Sequence, residues 1–434
     1  MRSRIVNVIS LGCSKNLIDS ERLMKMLQSV GFSLKHNSSY DCGADVTIIN
    51  TCGFIGDAKE ESINTILEAV EAKQNGLTDS VIVMGCLSQR YRNELLEEIP
   101  QIDSIYGKLD WPKIVNELAQ KNPAVAQYDR IITTPKHHAY LKISEGCNRF
   151  CAFCAIPLIT GRHTSRPEEE ILEEIRVLVA RGVKEFNVIA QDLSSYGLDL
   201  YGSHKLASLI DKMASIEGVR WIRLHYAYPS DFPYELLDVM AKHQNVCKYL
   251  DIALQHVSDN VLKNMRRHIS GDETRELLKR IRMAVPGIHI RTTLMVGFPG
   301  EGDAEFDELM KFVIEQKFER MGAFAYCEED DTYAALHYKD EISDDVKQER
   351  LDKLMALQEQ ISMDLQQDKV GKTYKVIIDR EEDDYYIGRT EFDSPEVDPE
   401  VLISKDKILT IGEFYDAKIV DALPFELIAT IVGE

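Results

Sequence analysis

Cys147, Cys151 and Cys154 fall within eight residues, in the run EGCNRFCAFC. The spacing is C-x3-C-x2-C. Three thiolates this close in sequence can hold three irons of a cubane cluster and leave the fourth iron open to a small chelating molecule. A zinc ribbon would need a second cysteine pair nearby. None follows, since the next cysteine is Cys247.

Three further cysteines sit at matching places in a strand–helix series. Val6–Leu11, Asp45–Asn50 and Ser80–Met84 read as short apolar strands. The segments between and after them, Asn16–Gln28, Asp57–Ala72 and Ser88–Glu98, have helical spacing. Leu17, Leu23, Met24 and Leu27 share one face of the first helix; Ile63, Ile66, Leu67 and Val70 share one face of the second. A βαβαβα series implies a parallel sheet with right-handed crossovers. Cys13 (LGCSKN), Cys52 (NTCGF) and Cys86 (MGCLS) each follow a strand and have a glycine beside them. Open α/β sheets bind ligands at that carboxyl edge, and neighbouring strands lie about 4.8 Å apart. The placement predicts a second metal cluster. Cys42, Cys247 and Cys327 lack such placement and take no ligand role.

From Ala139 a second α/β series begins, after an irregular linker Asn122–His138 with Pro123 and Pro135. Its strands are expected at Tyr140–Ser144, Glu185–Ala190, Trp221–His225, Tyr249–Leu254, Ile288–Val296 and Gly322–Tyr326. Helices fall between them, such as Pro167–Arg181, with a proline at its start and EEE in its first turn. Six βα units predict a partial parallel barrel with chemistry at the carboxyl ends of its strands. Gln191 and Asp192, His225 and Tyr228, Gln255 and His256, and a Gly-rich turn at Gly297 all fall past strand ends. His225 reads best as a hydrogen-bonded core histidine, and Gln191 and Asp192 suit a helix N-cap as well as a ligand contact.

Asp344–Gln367 has the phase of an amphipathic helix, with Leu351, Leu354, Leu357, Ile361 and Leu365 in register. After Gly371 the pattern alternates through five short strands, which predicts a small antiparallel barrel.

The motifs carry a resemblance. C-x3-C-x2-C with Phe153 before the last cysteine resembles the signature of the radical S-adenosylmethionine (SAM) superfamily, in which the open iron binds SAM and reductive cleavage yields a 5′-deoxyadenosyl radical. LGCSKNLIDSE, NTCGFIGDAKEESI and MGCLSQRY resemble the N-terminal domain of the methylthiotransferase family within it. The resemblance covers the whole chain in order and implies three domains: residues 1–125 with an auxiliary 4Fe–4S cluster on Cys13, Cys52 and Cys86; 138–345 with the radical SAM cluster on Cys147, Cys151 and Cys154; and 371–434, a TRAM-like barrel. It also implies SAM contacts from Gln191, Asp192, Gln255 and the Gly297 turn. Where the family usually reads LPLQ, this chain reads LALQ, with Ala253 in place of proline.

Charge bears on the substrate. The chain has 51 Lys and Arg against 72 Asp and Glu, a net of −21. From Lys372 to Glu434 there are seven Lys and Arg against 16 Asp and Glu, a net of −9, including the run REEDDYY. Each phosphate contact needs a cation, so the barrel suits a basic protein better than RNA. The NTCGFI and LGCxKN forms resemble the family branch that modifies an aspartate β-carbon of the basic ribosomal protein S-twelve, rather than the branch acting on adenosine in transfer RNA. A non-catalytic carrier of two Fe–S clusters is the reading from outside enzymes; the polar strand-end set argues against it. The family reading implies an electron donor such as flavodoxin or ferredoxin. No apolar run approaches the ~18 residues of a membrane span, and no signal peptide opens the chain. A cytoplasmic protein with reduced cysteines is expected.

Overall fold

The computed structural model describes residues 4–53, 56–121, 125, 126 and 128–433. These fall into two compact units. One holds the chain up to Thr134 with Tyr140–Asn148 and Ala155–Glu174; the other holds Pro135–Ala139, Arg149–Cys154 and the chain from Ile175 onward. Part of the expected linker, Asn122–Ala124 and Gln127, lies outside the described residues.

The first unit is built on a five-stranded sheet of β1 (Ile5–Ser10), β2 (Ser33–His36), β3 (Val46–Thr51), β4 (Ser80–Gly85) and β5 (Ser104–Ile105), in the order β2-β1-β3-β4-β5. Every pairing is parallel. β3 is buried at all six positions (VTIINT), as a central strand covered on both faces must be. β2 and β5 were not expected: SLKH is polar and alternates along an exposed edge, and β5 has two residues. The helix Gly56–Gln74 buries Ile66, Ala69 and Val70, while Ile63 and Leu67 are exposed, contrary to the inward face expected for them. Ser62 Oγ accepts from Cys52 N–H (3.0 Å) and donates to Cys52 O (2.9 Å), which turns the Ser62, Ile66 and Ala69 face inward and leaves Ile63 and Leu67 outside. The expected helix Ser88–Glu98 is two helices, Cys86–Arg90 and Arg92–Glu98, joined at Tyr91.

The six expected central strands form one sheet. They are β6 (His138–Lys142), then, after a two-residue pair β7 (Ser144–Glu145) and β8 (Thr164–Ser165), β9 (Glu185–Ile189), β10 (Trp221–Ala227), β11 (Val246–Ile252), β12 (His289–Val296) and β13 (Arg320–Ala325). The order is β13-β12-β11-β10-β9-β6, and β9 through β13 pair in parallel.

The C-terminal strands β14 (Thr373–Glu381), β15 (Tyr385–Thr390), β16 (Glu400–Ser404), β17 (Phe414–Leu423) and β18 (Glu426–Ile431) close into a barrel, β14-β15-β16-β18-β17. One pair, β16–β18, is parallel, so the barrel is not wholly antiparallel. Parity requires this: a closed ring of five strands cannot alternate direction all the way round. The helix Asp344–Gln367 also departs from expectation. Its buried stripe is Lys347, Arg350, Leu354, Gln358, Ile361 and Gln366, with Leu351, Leu357 and Leu365 on the flanks. Polar residues fill the stripe because they bond buried backbone: Gln358 Nε2 donates to Phe318 O (2.9 Å) and Arg350 to Glu301 O (3.1 Å).

The barrel packs on the amino ends of the sheet strands. Glu185, the first residue of β9, takes two bonds from Arg389 of β15 (2.7 and 3.0 Å) and two from Arg223 (3.1 and 3.2 Å). Arg389 also holds Asp379 (2.6 Å), which bonds His137 (2.8 Å). Arg320 at the start of β13 pairs with Asp393 (2.5 Å), and Arg291 of β12 with Asp398. Burial alone would raise the Glu185 carboxyl; Arg389 and Arg223 overcome it and hold it at about 2. Removing one partner of such a buried lattice costs about 3–5 kcal/mol. Some of the barrel's acidity therefore serves attachment.

Candidate functional site

The three strand-end cysteines of the first unit come together. Cys13 is the N-cap of the helix Ser14–Ser29, Cys52 follows β3, and Cys86 opens the helix after β4. Their glycines are the points of contact. A Cβ on Gly12 would lie 2.7 Å from Cys52 Cβ and 2.8 Å from its Sγ; one on Gly53 would lie 2.7 Å from Leu87 Cα and 3.0 Å from the Cys86 carbonyl carbon; one on Gly85 would lie 2.4 Å from Thr51 O. Each loop is thus pressed on the next, and only glycine leaves room. Asn16 ties the set: its Nδ2 donates to Leu11 O (3.2 Å) and Thr51 O (3.0 Å), and its Oδ1 accepts from Cys86 Sγ (3.5 Å). Cys52 and Cys86 are buried and Cys13 is exposed. Burial pushes the Cys86 thiol up to about 12; Lys108 pulls against this, while Cys13 and Cys52 add to it. Thiolate ligation here must release a proton. Lys108 is itself buried, 2.7 Å from Glu145.

Among the described residues no three His, Cys, Asp or Glu side chains converge as ligands of a single ion. A cubane asks something different, since each thiolate takes its own iron. The donor set, three thiols at one sheet edge with close backbone, fits such a group.

The other triplet lies in one loop. Gly146, with φ +78, precedes Cys147, and a Cβ there would meet Arg162 O at 2.1 Å. The Cys147 N–H bonds Gly161 O (3.2 Å). In the second unit the Cys154 N–H bonds Cys151 O (3.0 Å), and Ala152 exchanges backbone bonds with Met265 and Ala334 (2.9 and 2.8 Å). Cys151 Sγ accepts from Arg267 Nη1 (3.3 Å) and stands 3.5 Å from Tyr228 OH. That hydroxyl is also 3.1 Å from Arg267 O and, having one proton, donates to one of the two. The Tyr228 ring has the Arg149 and Arg267 guanidiniums 4.3 and 4.1 Å from its centre. Sequence reasoning placed Tyr228 at a strand end but missed Arg149, Arg267 and Asn16. Asn16 and Arg149 lie inside the cysteine motifs; Arg267 carries no sequence signal.

The remaining residues fall as follows. Gln191 is half-buried just past β9. Asp192 is buried and engaged: it accepts from Arg149 Nε (2.7 Å), Ser195 Oγ (2.5 Å) and Ser194 N–H (2.9 Å). Gln255 has φ +71, and its backbone bridges to β12 through Thr293 O (2.9 Å) and Met295 N (2.7 Å). Its buried Oε1 has no hydrogen-bond partner among the described residues, an acceptor awaiting a donor at this edge. The Ala253 N–H bonds Ala227 O (3.2 Å), a bond that proline lacks the donor to make. Gly297 has φ +74, its N–H is taken by Glu301 (2.9 Å), and a Cβ there would strike Lys347 Cγ at 2.3 Å. His225 and His256 are buried and bonded, to Asn187 (3.3 Å) and Glu301 (3.1 Å) respectively. His256 Nδ1 accepts from Ser258 N–H, so its proton is on Nε2.

A parallel sheet with a cysteine triplet in the loop after its first strand, in a chain whose other sheet carries its own thiol set, defines an iron–sulfur enzyme of the radical SAM kind. Residues 141–313 match the Radical SAM superfamily, 370–432 the TRAM domain, and 5–107 the group described as "Uncharacterized protein family UPF0004". The chain is 58% identical over the full length of both chains to "Ribosomal protein uS12 methylthiotransferase RimO" of Phocaeicola vulgatus. It is 56% identical, again over both full lengths, to the protein of that name in Porphyromonas gingivalis, and 49% over 98% of both in Cytophaga hutchinsonii. The chain belongs to the RimO family of radical SAM methylthiotransferases. Among solved structures, the radical SAM methyltransferase TsrM from Kitasatospora setae matches 75% of each chain at 16% identity, with a TM-score of 0.57. The cobalamin-dependent SAM radical enzyme OxsB matches 83% of this chain and 56% of its own at 14% identity, with a TM-score of 0.53. Both likenesses concern the fold.

Proposed function

We propose that this protein adds a methylthio group to the β-carbon of an aspartate in ribosomal protein uS12. The observation that carries the reading is the second thiol set: SAM cleavage needs only the loop triplet, whereas sulfur insertion calls for a separate place to hold sulfur. Cys147, Cys151 and Cys154 would hold the cluster that leaves an iron open to SAM, and Cys13, Cys52 and Cys86 the auxiliary 4Fe–4S cluster. Gln191, Asp192, Gln255 and the Gly297 turn border the SAM site. When bound, the clusters and SAM supply the radical chemistry and the methylated sulfur.

The chain's own residues position these groups. Arg267 donates to Cys151 Sγ, and Arg149 is fixed by Asp192. Gln255 presents a buried acceptor. Asn16 fixes the separation of the three strand-end loops. Residues 1–125, 138–345 and 371–434 divide the tasks as auxiliary-cluster domain, radical domain and barrel. Flavodoxin or ferredoxin serves as reductant, in the cytoplasm. Among the described residues no helix is long and apolar enough to cross a membrane. A net charge of −21 suits a basic protein and repels transfer-RNA phosphates.

Mass spectrometry of uS12 and of bulk transfer RNA from a deletion strain tests the reading. Loss of the methylthio group from uS12 alone is expected. Its loss from transfer RNA, with uS12 unchanged, overturns the reading.

A further inference from the structure

The acidic hairpin of the barrel is badly placed to present an aspartate to the radical site. Its acids end β14 and continue into the turn after it, and two of them are already paired: Glu382 with Arg380 (2.7 Å) and Glu381 with Lys405 (2.8 Å). The barrel grips the amino ends of the sheet strands, whereas Cys151 meets Tyr228 past the carboxyl end of β10. Strands of five to eight residues separate these edges, about 16–26 Å.

A second acidic segment lies at the carboxyl edge. After β13 the chain reads Tyr326-Cys327-Glu328-Glu329-Asp330-Asp331-Thr332, then the short helix Tyr333–His337. Glu328, Asp330 and Asp331 are exposed, and Glu328 and Asp331 form no ion pair among the described residues. The nearby bases are spoken for: Lys347 holds Asp340 (2.5 Å), Lys339 holds Glu341 (3.2 Å), and the Arg266 guanidinium lies 4.4 Å over the Tyr333 ring. The segment is fastened to the radical-cluster loop, since the Ala334 N–H bonds Ala152 O (2.8 Å).

A buried polar atom independently points to a ligand here. Tyr326 is only 3% exposed, and its hydroxyl has no hydrogen-bond partner among the described residues. Burial raises this phenol above its ordinary range, and the charges of Glu328, Asp340, Cys327 and Glu329 add to the rise; in the chain it stands two residues before Glu328. Beside it the Tyr333 and His337 rings stack (4.0 Å, 10°), and Leu336 is 67% exposed. An exposed apolar ledge next to uncompensated carboxylates matches a peptide with cationic side chains around an apolar stem.

We propose that the segment Tyr326–His337 is the docking site for the lysine- or arginine-bearing stretch of the substrate protein that flanks the modified aspartate. Glu328 and Asp331 pair with its cations, the Tyr326 hydroxyl bonds its backbone, and the Tyr333–Leu336 ledge covers its side-chain stems. The proposal rests on the uS12 reading above and assigns the recognition to this edge rather than to the barrel.

The test uses the full chain reconstituted with both clusters. Binding of purified uS12 is titrated against wild type, the double variant Glu328→Gln with Asp331→Asn, and a barrel pair, Glu382→Gln with Asp384→Asn. Asn suits the left-handed backbone of Asp331 (φ 59), and equal iron content verifies folding. The loop pair should weaken binding about fivefold and flatten its salt dependence, the barrel pair less, given ~0.2–1 kcal/mol per exposed ion pair. Equal binding by wild type and the loop pair overturns the docking site while leaving the uS12 reading intact. If wild type neither binds nor modifies uS12, that reading fails and the docking site falls with it. Weaker binding of bulk transfer RNA by the loop pair also overturns the proposal, because removing acids should only favour phosphate.

Discussion

The two cysteine sets are built in opposite ways. Cys147, Cys151 and Cys154 are neighbours in the chain, and one loop brings them close whatever the sheet does. Cys13, Cys52 and Cys86 are 39 and 34 residues apart, and only the order β1-β3-β4 of three parallel strands makes them neighbours. The first set needs local backbone: Gly146 against Arg162 O, and the Cys154 N–H on Cys151 O. The second needs tertiary fit: Gly12 on Cys52, Gly53 on Leu87, Gly85 on Thr51, and Asn16 bonded to parts of all three strand ends. A site made by a loop tolerates strain in the fold around it. A site made by a sheet edge does not.

The largest effects should come from deleting each set whole. Anaerobically reconstituted wild type should bind about eight irons, four for each cubane. Replacing Cys147, Cys151 and Cys154 by Ala should halve this and abolish SAM cleavage. Replacing Cys13, Cys52 and Cys86 by Ala should also leave about four irons, yet SAM should still be cleaved under reduction while no methylthio product forms. Iron assay and product chromatography check both. An unchanged iron count in either variant refutes that set as ligands. Loss of SAM cleavage from the folded second variant refutes the division of labour.

The same contrast governs what could be read from sequence. The loop triplet was legible from spacing alone. The strand-end set was legible because strong apolar runs (VTIIN, SVIVM) announced the strands that carry it. Six central strands and five barrel strands were legible for the same reason. Long-range ionic partners were not. Arg130 is wholly buried between Glu21 and Glu174, 109 and 44 residues away, and Arg389 reaches Glu185 across 204. Nothing in periodicity marks such pairs, and a charged residue reads as surface until its partner is seen. The helix Asp344–Gln367 misled in the same way, its buried stripe being set by Gln358 and Arg350 rather than by leucines.

A matched pair of glycine substitutions separates fold-built from loop-built geometry at a smaller scale. Gly85 has φ +112, and its Cβ would meet Thr51 O at 2.4 Å and Asn50 Oδ1 at 2.6 Å. Gly146 has φ +78 and would meet Arg162 O at 2.1 Å. Each change to Ala should cost about 1–3 kcal/mol through its backbone conformation alone. Gly85→Ala should also pull β3 and β4 apart at their ends and lower auxiliary iron, while the loop cluster's spectrum persists. Gly146→Ala should do the reverse. Electron paramagnetic resonance of each reduced variant, beside a thermal melt, reads both. Equal loss of both signals in both variants would show that the two sets are not independently held.

The smallest expected effect probes what surrounds a single thiol. Tyr228 OH stands 3.5 Å from Cys151 Sγ, and burial, the largest influence on it, raises the phenol above its ordinary range. It therefore keeps its proton across the working pH and can donate to sulfur. Hydrogen bonds to cluster sulfurs raise reduction potentials. Tyr228→Phe keeps the ring between Arg149 and Arg267 and removes only the hydroxyl, so stability should fall by about 0.5–1.5 kcal/mol. The midpoint potential of the loop cluster should move down, while that of the auxiliary cluster, where Asn16 bonds Cys86, stays in place. Redox titration monitored by paramagnetic resonance separates the two. A shift in both potentials would make Tyr228 a general packing residue. A shift in neither would leave the sulfur contact to Arg267 alone, which already donates at 3.3 Å.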